Sequence, residues 1–433
     1  MEFLFKKRDI RQLAILRIII GAWLFVDVAS MLVSGYVTEA YVDAEINFPF
    51  YGFEWITPLP GYGMYILFIL LAILTIGITT GYRFRLSLSL FLIGWTYVFM
   101  CDIVYTLNKF YLFIILGLVL LVTDSHRALS ISREPKRTKT DYWQIFIFQA
   151  LLGIIYTFSG VSKINSDWLV HAEPLMLFYE HRIPFKWLTG EAYTLLVFTF
   201  TYCGVAFDLT IIWLLSYRKT NLIANILQTL FHLLNFAILH IGSLSLFSIM
   251  ITWLLFPTPW LKRKLKFETA FVGDPDRKPL SKNLVTYALL VFFAINLLIP
   301  LRHFIVGTEV NWTEKGHRFS WRLMTRAKRG SIANFEVVDN TTGKRYDINE
   351  RKILTGRQYR KMAGETDLVI AFAHYLESAY KEKLNHDNVS VYATVKTKLN
   401  GRKKDLLIDP ELDLTKVSRS FLFDDVSNPQ PGR

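Results

Sequence analysis

Nine apolar runs, near residues 13–33, 64–80, 86–104, 110–123, 143–161, 194–216, 223–240, 243–256 and 284–302, confine this chain to one environment. Each approaches the ~20 residues that a helix needs to cross the hydrocarbon core of a bilayer. Of 433 residues 52% are hydrophobic, and the surplus sits in the runs rather than being spread evenly. Phe (34) and Tyr (21) are abundant, as lipid-facing and interfacial positions favour. In lipid each backbone polar group must be satisfied within the protein, so such runs are helices. The sequence predicts an α-helical integral membrane protein of about nine transmembrane helices.

The net charge of +13 would suit a nucleic-acid binder, but the basic residues cluster between the apolar runs, which favours the lipid bilayer as partner and argues against nucleic acid. Lys6, Lys7 and Arg8 precede the first run. That run is too long for a signal-peptide core and lacks a small-residue cleavage site. Loop 34–63 holds Glu39, Asp43, Glu45 and Glu54 and no Lys or Arg, whereas loop 124–142 holds Arg127, Arg133, Lys136, Arg137 and Lys139. Arg218 and Lys219 follow the sixth run, and Lys262, Arg263, Lys264 and Lys266 the eighth. With the N-terminus cytoplasmic, every basic loop falls inside and the C-terminal region outside. The compact length points to a bacterial plasma membrane, with the endoplasmic reticulum as the eukaryotic equivalent.

Composition turns polar after Pro300. The expected organisation is a transmembrane domain over 1–303, a small extracytoplasmic α+β domain over 304–423 and a disordered tail over 424–433. Within the second unit, 334–338, 340–343 and 345–348 read as strand, turn and strand, 358–384 as one helix, and 389–399 as an alternating strand. Pro257, Pro259, Pro275 and Pro279 mark an inner loop without regular structure. Cys101 and Cys203 supply no disulfide framework or metal motif.

An ionisable side chain at a span centre costs roughly 2.5–3.5 kcal/mol on the insertion scale, so each one needs a reason. Arg17 and Asp27 lie in the first run, Asp208 in the sixth, and His232, Asn235 and His240 in the seventh. Such groups either hold a bundle together by pairing or serve a site. The two histidines are eight residues apart without neighbouring carboxylates, which does not make a metal site. Lys163 ends the fifth run and is followed by Asn165, Asp167 and Trp168. It is either an anchor that snorkels to the interface or an amine kept from water as a base.

The segment Ser162-Lys163-Ile164-Asn165-Ser166-Asp167-Trp168 resembles a signature of vitamin K-dependent γ-glutamyl carboxylases and of their bacterial relatives, which share the horizontally transferred transmembrane (HTTM) domain. Phe231-His232-Leu233-Leu234-Asn235 with Ile241-Gly242 resembles a second block of that family. Asn311-Trp312-Thr313 through Phe319-Ser320-Trp321-Arg322-Leu323-Met324 resembles a third, and His303 stands at a family histidine just upstream. The blocks occur in the family's order.

The resemblance implies a membrane enzyme that uses a reduced naphthoquinone (reduced vitamin K), O2 and CO2, without a metal, to carboxylate a glutamate of a secreted peptide or protein while the quinone becomes an epoxide. It assigns Lys163 as the base, Asn108 and Lys109 to the catalytic setting, and His232, Asn235, Asp208, His303, Trp312, Ser320, Trp321 and Arg326 to the pocket. Two departures weaken the carboxylation half: Lys109 and Arg326 stand where the family has histidines. A cationic Lys109 beside Lys163 would depress the latter's pKa. The alternatives are a non-carboxylating relative that binds or matures a secreted peptide, and a structural or lipid-binding membrane protein.

Overall fold

The computed structural model describes residues 2–105, 108–180, 189–239, 242–267, 281–306, 309–419 and 426–429. All nine apolar runs are helical: α1 (Arg11–Val33), α2 (Gly63–Thr80), α3 (Phe84–Cys101), α4 (Asn108–Leu121), α5 (Trp143–Val161), α6 (Gly190–Ser216), α7 (Asn221–Ala237), α8 (Leu244–Leu255) and α9 (Lys282–Leu301). Six of them (α1, α2, α3, α5, α6 and α9) are long and apolar enough to cross a membrane, while α4 and α8 are shorter apolar helices. The described residues therefore contain six helices of full spanning length, against the nine expected. In α7 the reason is visible in its side chains. Leu222, Ile223, Ile226 and Leu230 are exposed on one side, and Asn221, Ala224, Asn225 and Gln228 are buried on the other.

The loops gather on two opposite faces. On the first, β1 (Lys7–Asp9) pairs antiparallel with β2 (Lys139–Asp141), so the basic N-terminus is sewn to the basic 124–142 loop. Lys7 meets Asp141 at 2.7 Å. The C-terminal end of α8 joins this face, because Gln12 and Gln149 both donate to its Leu255 carbonyl.

The second face carries the α+β unit. Its sheet has the order β4 (Arg345–Asp347), β3 (Lys328–Asp339), β5 (Val389–Leu399), β6 (Asp405–Leu406), all antiparallel. The alternation expected of 389–399 holds: Val391, Ala393 and Val395 are buried. Helix α10 (Thr366–Leu384) lies on the sheet, with Phe372 edge-on to Phe335 at 4.9 Å. The segment expected as one helix over 358–384 is two, Gly356–Met362 and Thr366–Leu384. Gly364 interrupts it, and Thr355 with Gln358 forms a capping box that starts the first piece. The unit docks on the loop that has no Lys or Arg. Gln358 donates to the Ile46 carbonyl at 2.7 Å and Tyr375 to Glu45 at 2.8 Å, while Arg402 reaches a different segment, pairing with Asp167 after α5 at 2.8 Å.

Two further expectations change. Residues Pro259–Lys264 form a short helix capped by Thr258, with Pro259 at its first position, where a missing N–H is harmless; Pro275 and Pro279 lie outside the described residues. Within the tail expected to be disordered, 426–429 is bonded into the unit: Trp312 Nε1 donates to the Asn428 carbonyl at 2.8 Å, and Ser427 meets Thr366 at 2.8 Å. The rest of that tail lies outside the described residues.

Glu365, between the two helical pieces, is buried against Arg318 and Lys361. Burial pushes its carboxyl up, but Lys361, Arg318 and Arg326 outweigh this and hold it well below the usual carboxylate range. A depressed acid stabilises the fold above its unfolded value, and that contribution is lost as pH falls. The α+β unit should therefore lose stability as pH drops below the ordinary value of 4.5. Glu365→Gln should cost about 3 kcal/mol at neutral pH by stranding the two cations, and should flatten the acid dependence. Denaturant unfolding followed across that pH range checks both effects.

Candidate functional site

Helix α5 ends two residues before Lys163, and the signature that follows is a chain reversal. Asn165 accepts a hydrogen bond from the Trp168 N–H at 3.1 Å, capping a four-residue helix (Ser166–Leu169), and donates to the Ser162 carbonyl at 3.0 Å. That turn sets the Trp168 ring 5.4 Å from Lys163 Nζ. The Trp168 indole donates to the Thr201 carbonyl on α6 at 3.2 Å. Asp167 points away from the amine, toward Asn400 at 2.9 Å and Arg402.

Lys163 is 6% exposed, which rules out a snorkelling anchor. Its ammonium donates to Ser159 Oγ at 2.7 Å and forms a short ion pair with Asp208 of α6. Ser159 in turn donates to Asp208 at 2.8 Å. The approach of the two helices depends on Gly160, where an added Cβ would sit 2.7 Å from the Leu209 side chain and 3.1 Å from Asp208 Cβ. A buried charge is tolerated only when paired and hydrogen-bonded, and here both conditions are met.

The pair opens on a cavity of about 200 Å³. Leu152, Ile155, Phe200 and Phe231 supply apolar wall, and Asn108, His232 and Asn235 join Lys163, Ser159 and Asp208 as polar groups. His232 Nε2 meets the Tyr156 hydroxyl at 2.8 Å. The loop bearing Trp321, Leu323 and Met324 lines the cavity from the side of the α+β unit. Phe319, Trp321 and Met324 all have φ between 54° and 62°, a conformation that costs a non-glycine residue on the order of 1 kcal/mol each. Trp321 packs on Tyr111 at 5.2 Å, and its buried indole N–H finds no protein partner among the described residues.

Of the residues singled out in the sequence, Lys163, Asp208, Asn108, His232, Asn235 and Trp321 thus share one cavity. Lys109 does not join them: it pairs with Asp27 of α1 at 2.6 Å, away from Lys163. Arg17 leaves Asp27 alone and donates to the carbonyls of Ile78 and Leu129. Trp312 is fully buried beneath Lys328, Ser320 bonds the His317 carbonyl, Arg326 pairs with Glu314, and His303 meets the Pro300 carbonyl at 2.8 Å. None of these four lines the cavity. His240 and Ile241 lie outside the described residues. Sequence reasoning overlooked Ser159 and Tyr156, although Tyr156, Ser159 and Lys163 fall at i, i+3 and i+7, one face of a helix. Ser245, Ser248 and Cys203 were legible only as span residues.

A helical membrane protein with a buried lysine–carboxylate pair in an apolar cavity, capped by an α+β unit on one face, is the class these features define. The chain belongs to the HTTM domain family, whose model matches residues 5–260. Residues 281–429 match the vitamin K-dependent gamma-carboxylase, lumenal domain. Both units together make it a vitamin K-dependent gamma-carboxylase-like integral membrane protein. No solved structure matches the chain.

Removing one partner of a buried ion pair strands the other charge. Asp208→Asn is therefore expected to destabilise the protein in detergent by about 3–5 kcal/mol. The double substitution Lys163→Met with Asp208→Leu should recover most of that. Thermal unfolding of the three proteins tests it; an unchanged transition in Asp208→Asn would show that the pair is not formed.

Proposed function

We propose that this protein is a quinol-dependent membrane enzyme of the γ-carboxylase kind, acting on a reduced naphthoquinone, O2 and CO2 to modify a peptide glutamate. The observation that carries the reading is the Lys163–Asp208–Ser159 cluster, buried at the wall of a mostly apolar cavity. A flat apolar bicycle with two hydroxyls matches such a lining, which presents few, convergent polar groups. Two buried polar atoms on the cavity wall, Trp321 Nε1 and Ser245 Oγ, have no protein partner among the described residues and suit the polar edges of such a ring. When bound, the reduced quinone supplies the electrons with which O2 is turned into a base strong enough for the glutamate γ-carbon.

The chain's own contribution is proton bookkeeping. The Lys163–Asp208 couple is net neutral and can accept one proton. The proton passes to Asp208, or through the couple to the amine, and leaves one positive charge beside the hydroxyl that released it. Ser159 holds both partners in line. Trp321 and the apolar wall would shield the reacting carbon, which must not meet water before CO2 does. Lys109, engaged with Asp27, is less able to serve the carboxylation step than a free histidine at that position. Quinol oxidation is therefore the better supported half.

The nine helices are proposed to cross the membrane nine times, with the β1–β2 face cytoplasmic and the α+β unit outside. The membrane is proposed to be a bacterial plasma membrane.

Purified protein given vitamin K hydroquinone, oxygen, labelled bicarbonate and a glutamate peptide should form epoxide. Lys163→Ala and Asp208→Asn should lower its rate by roughly 10²-fold or more. No epoxide from any naphthoquinol would sink the proposal; epoxide without label in the peptide would confine the activity to the quinol half. For orientation, Thr342 sits in the exposed β3–β4 turn. Thr342→Cys in a Cys101→Ser, Cys203→Ser background should react with an impermeant maleimide in intact cells. Reaction only after permeabilisation would reverse the topology.

A further inference from the structure

Below the cavity, toward the face bearing the basic loops, α7 and α8 turn two polar rows toward the bundle interior. On α7, Asn221, Asn225, Gln228, His232 and Asn235 recur at helical spacing, so they stack on one face. On antiparallel α8, Ser245, Ser248 and Thr252 do the same. The register is set by the Phe256 carbonyl, which accepts from Asn221 Nδ2 and Asn225 Nδ2, both at 3.1 Å. One turn further in, Trp253 donates to Thr229 Oγ1 at 2.8 Å, and Gln228 Nε2 donates to the same oxygen at 3.2 Å. The row ends where His232 meets Tyr156 at the cavity wall, and Ser245, Ser248 and Asn235 line that cavity directly.

The amide oxygens are the telling atoms. Asn221 Oδ1, Asn225 Oδ1 and Gln228 Oε1 are buried, and among the described residues none has a hydrogen-bond partner in the protein. The side chains carrying them are 7%, 0% and 0% exposed. Three unmet acceptors in a line are costly if dry and cheap if water bridges them, and buried water sits where two or more polar groups converge. Asn221 and Asn225 serve the helix–helix contact through their amide nitrogens, so it is the oxygens that packing leaves unexplained.

We infer that the α7–α8 polar rows hold a chain of water that exchanges protons between the cavity and the membrane face carrying the basic loops. Its mouth on the basic-loop face is at Asn221, directly after Arg218 and Lys219, and beside the segment leading to Lys262, Arg263 and Lys264. Its inner end is His232. Among the described residues the titratable groups lining the cavity with it are Tyr156 and Lys163 on and just after α5, Tyr179 in the segment before α6, and Cys203 and Asp208 on α6, while the polar groups of α8 there are hydroxyls and α4 brings Asn108. The path gives the Lys163–Asp208 couple an outlet for the proton it takes up. That role rests on the function proposed above; the existence of the path does not.

The test uses the full chain in vesicles, in a Cys101→Ser, Cys203→Ser background, with silver ion as a thiol probe of near-water size. Asn225→Cys and the nearly isosteric Thr252→Cys each carry one buried thiol, and Val119→Cys in the apolar core is the control. Silver applied from the basic-loop face should block the first two at least tenfold faster than the control. Asn225→Leu should slow the reaction at Thr252→Cys by a similar factor. Rates no faster than the control, or faster only from the opposite face, overturn the path. In vesicles with the pH set separately on each side, epoxide formation should follow the pH of the basic-loop side. Dependence on the other side alone overturns the proton role while leaving the silver result intact.

Discussion

The ion pair between Lys163 and Asp208 is the constraint around which the membrane unit is assembled. Each charge, taken from water alone, carries a penalty of several kcal/mol, so neither residue can be placed until the other is. This requirement explains local features that look unrelated along the chain. Gly160 lets α6 come close enough for Asp208 to reach across. Ser159 satisfies lone pairs and protons that the pair leaves over. Asn165 caps the turn that brings Trp168 over the ammonium, and Asp167 fastens the same turn to Arg402 of the α+β unit. One short motif therefore joins the two matched domains mechanically as well as chemically.

The second organising feature is the division of labour among polar residues in the bundle. Arg17 satisfies backbone carbonyls at the end of α2 and in the 124–142 loop, and Asp27 neutralises Lys109. These groups tie helices together. The polar rows of α7 and α8 differ in where they lead: Ser245, Ser248, His232 and Asn235 of these rows line the cavity. Two tryptophans part in the same way: Trp321 lines the cavity with its indole N–H unpartnered among the described residues, and Trp312 spends its own on Asn428.

The helices were legible because period and length are local properties: an apolar run of spanning length has few alternatives in lipid. The strand alternation of Val391, Ala393 and Val395 was legible for the same reason. The break at Gly364 was not, since an isolated glycine inside a helical pattern is tolerated more often than it terminates. The short helix at Pro259–Lys264 was hidden by prolines that suit a first turn as well as a loop. Part of the tail was read as disordered because its composition is polar, yet Asn428 and Ser427 are bonded across the α+β unit.

By itself the sequence determined that this chain is a helical membrane protein with a polar C-terminal unit, that Lys163 needs an explanation, and which family its motifs resemble. Only the tertiary structure decided what the lysine faces. Asp208 is forty-five positions away on another helix, and Asp167, the acid nearest in sequence, belongs to a different bond. It also decided that Lys109 turns to Asp27 and away from the cavity. Partner choice for a buried charge is a matter of distance through space and of which desolvation penalty is offset. Neither is written in spacing along the chain.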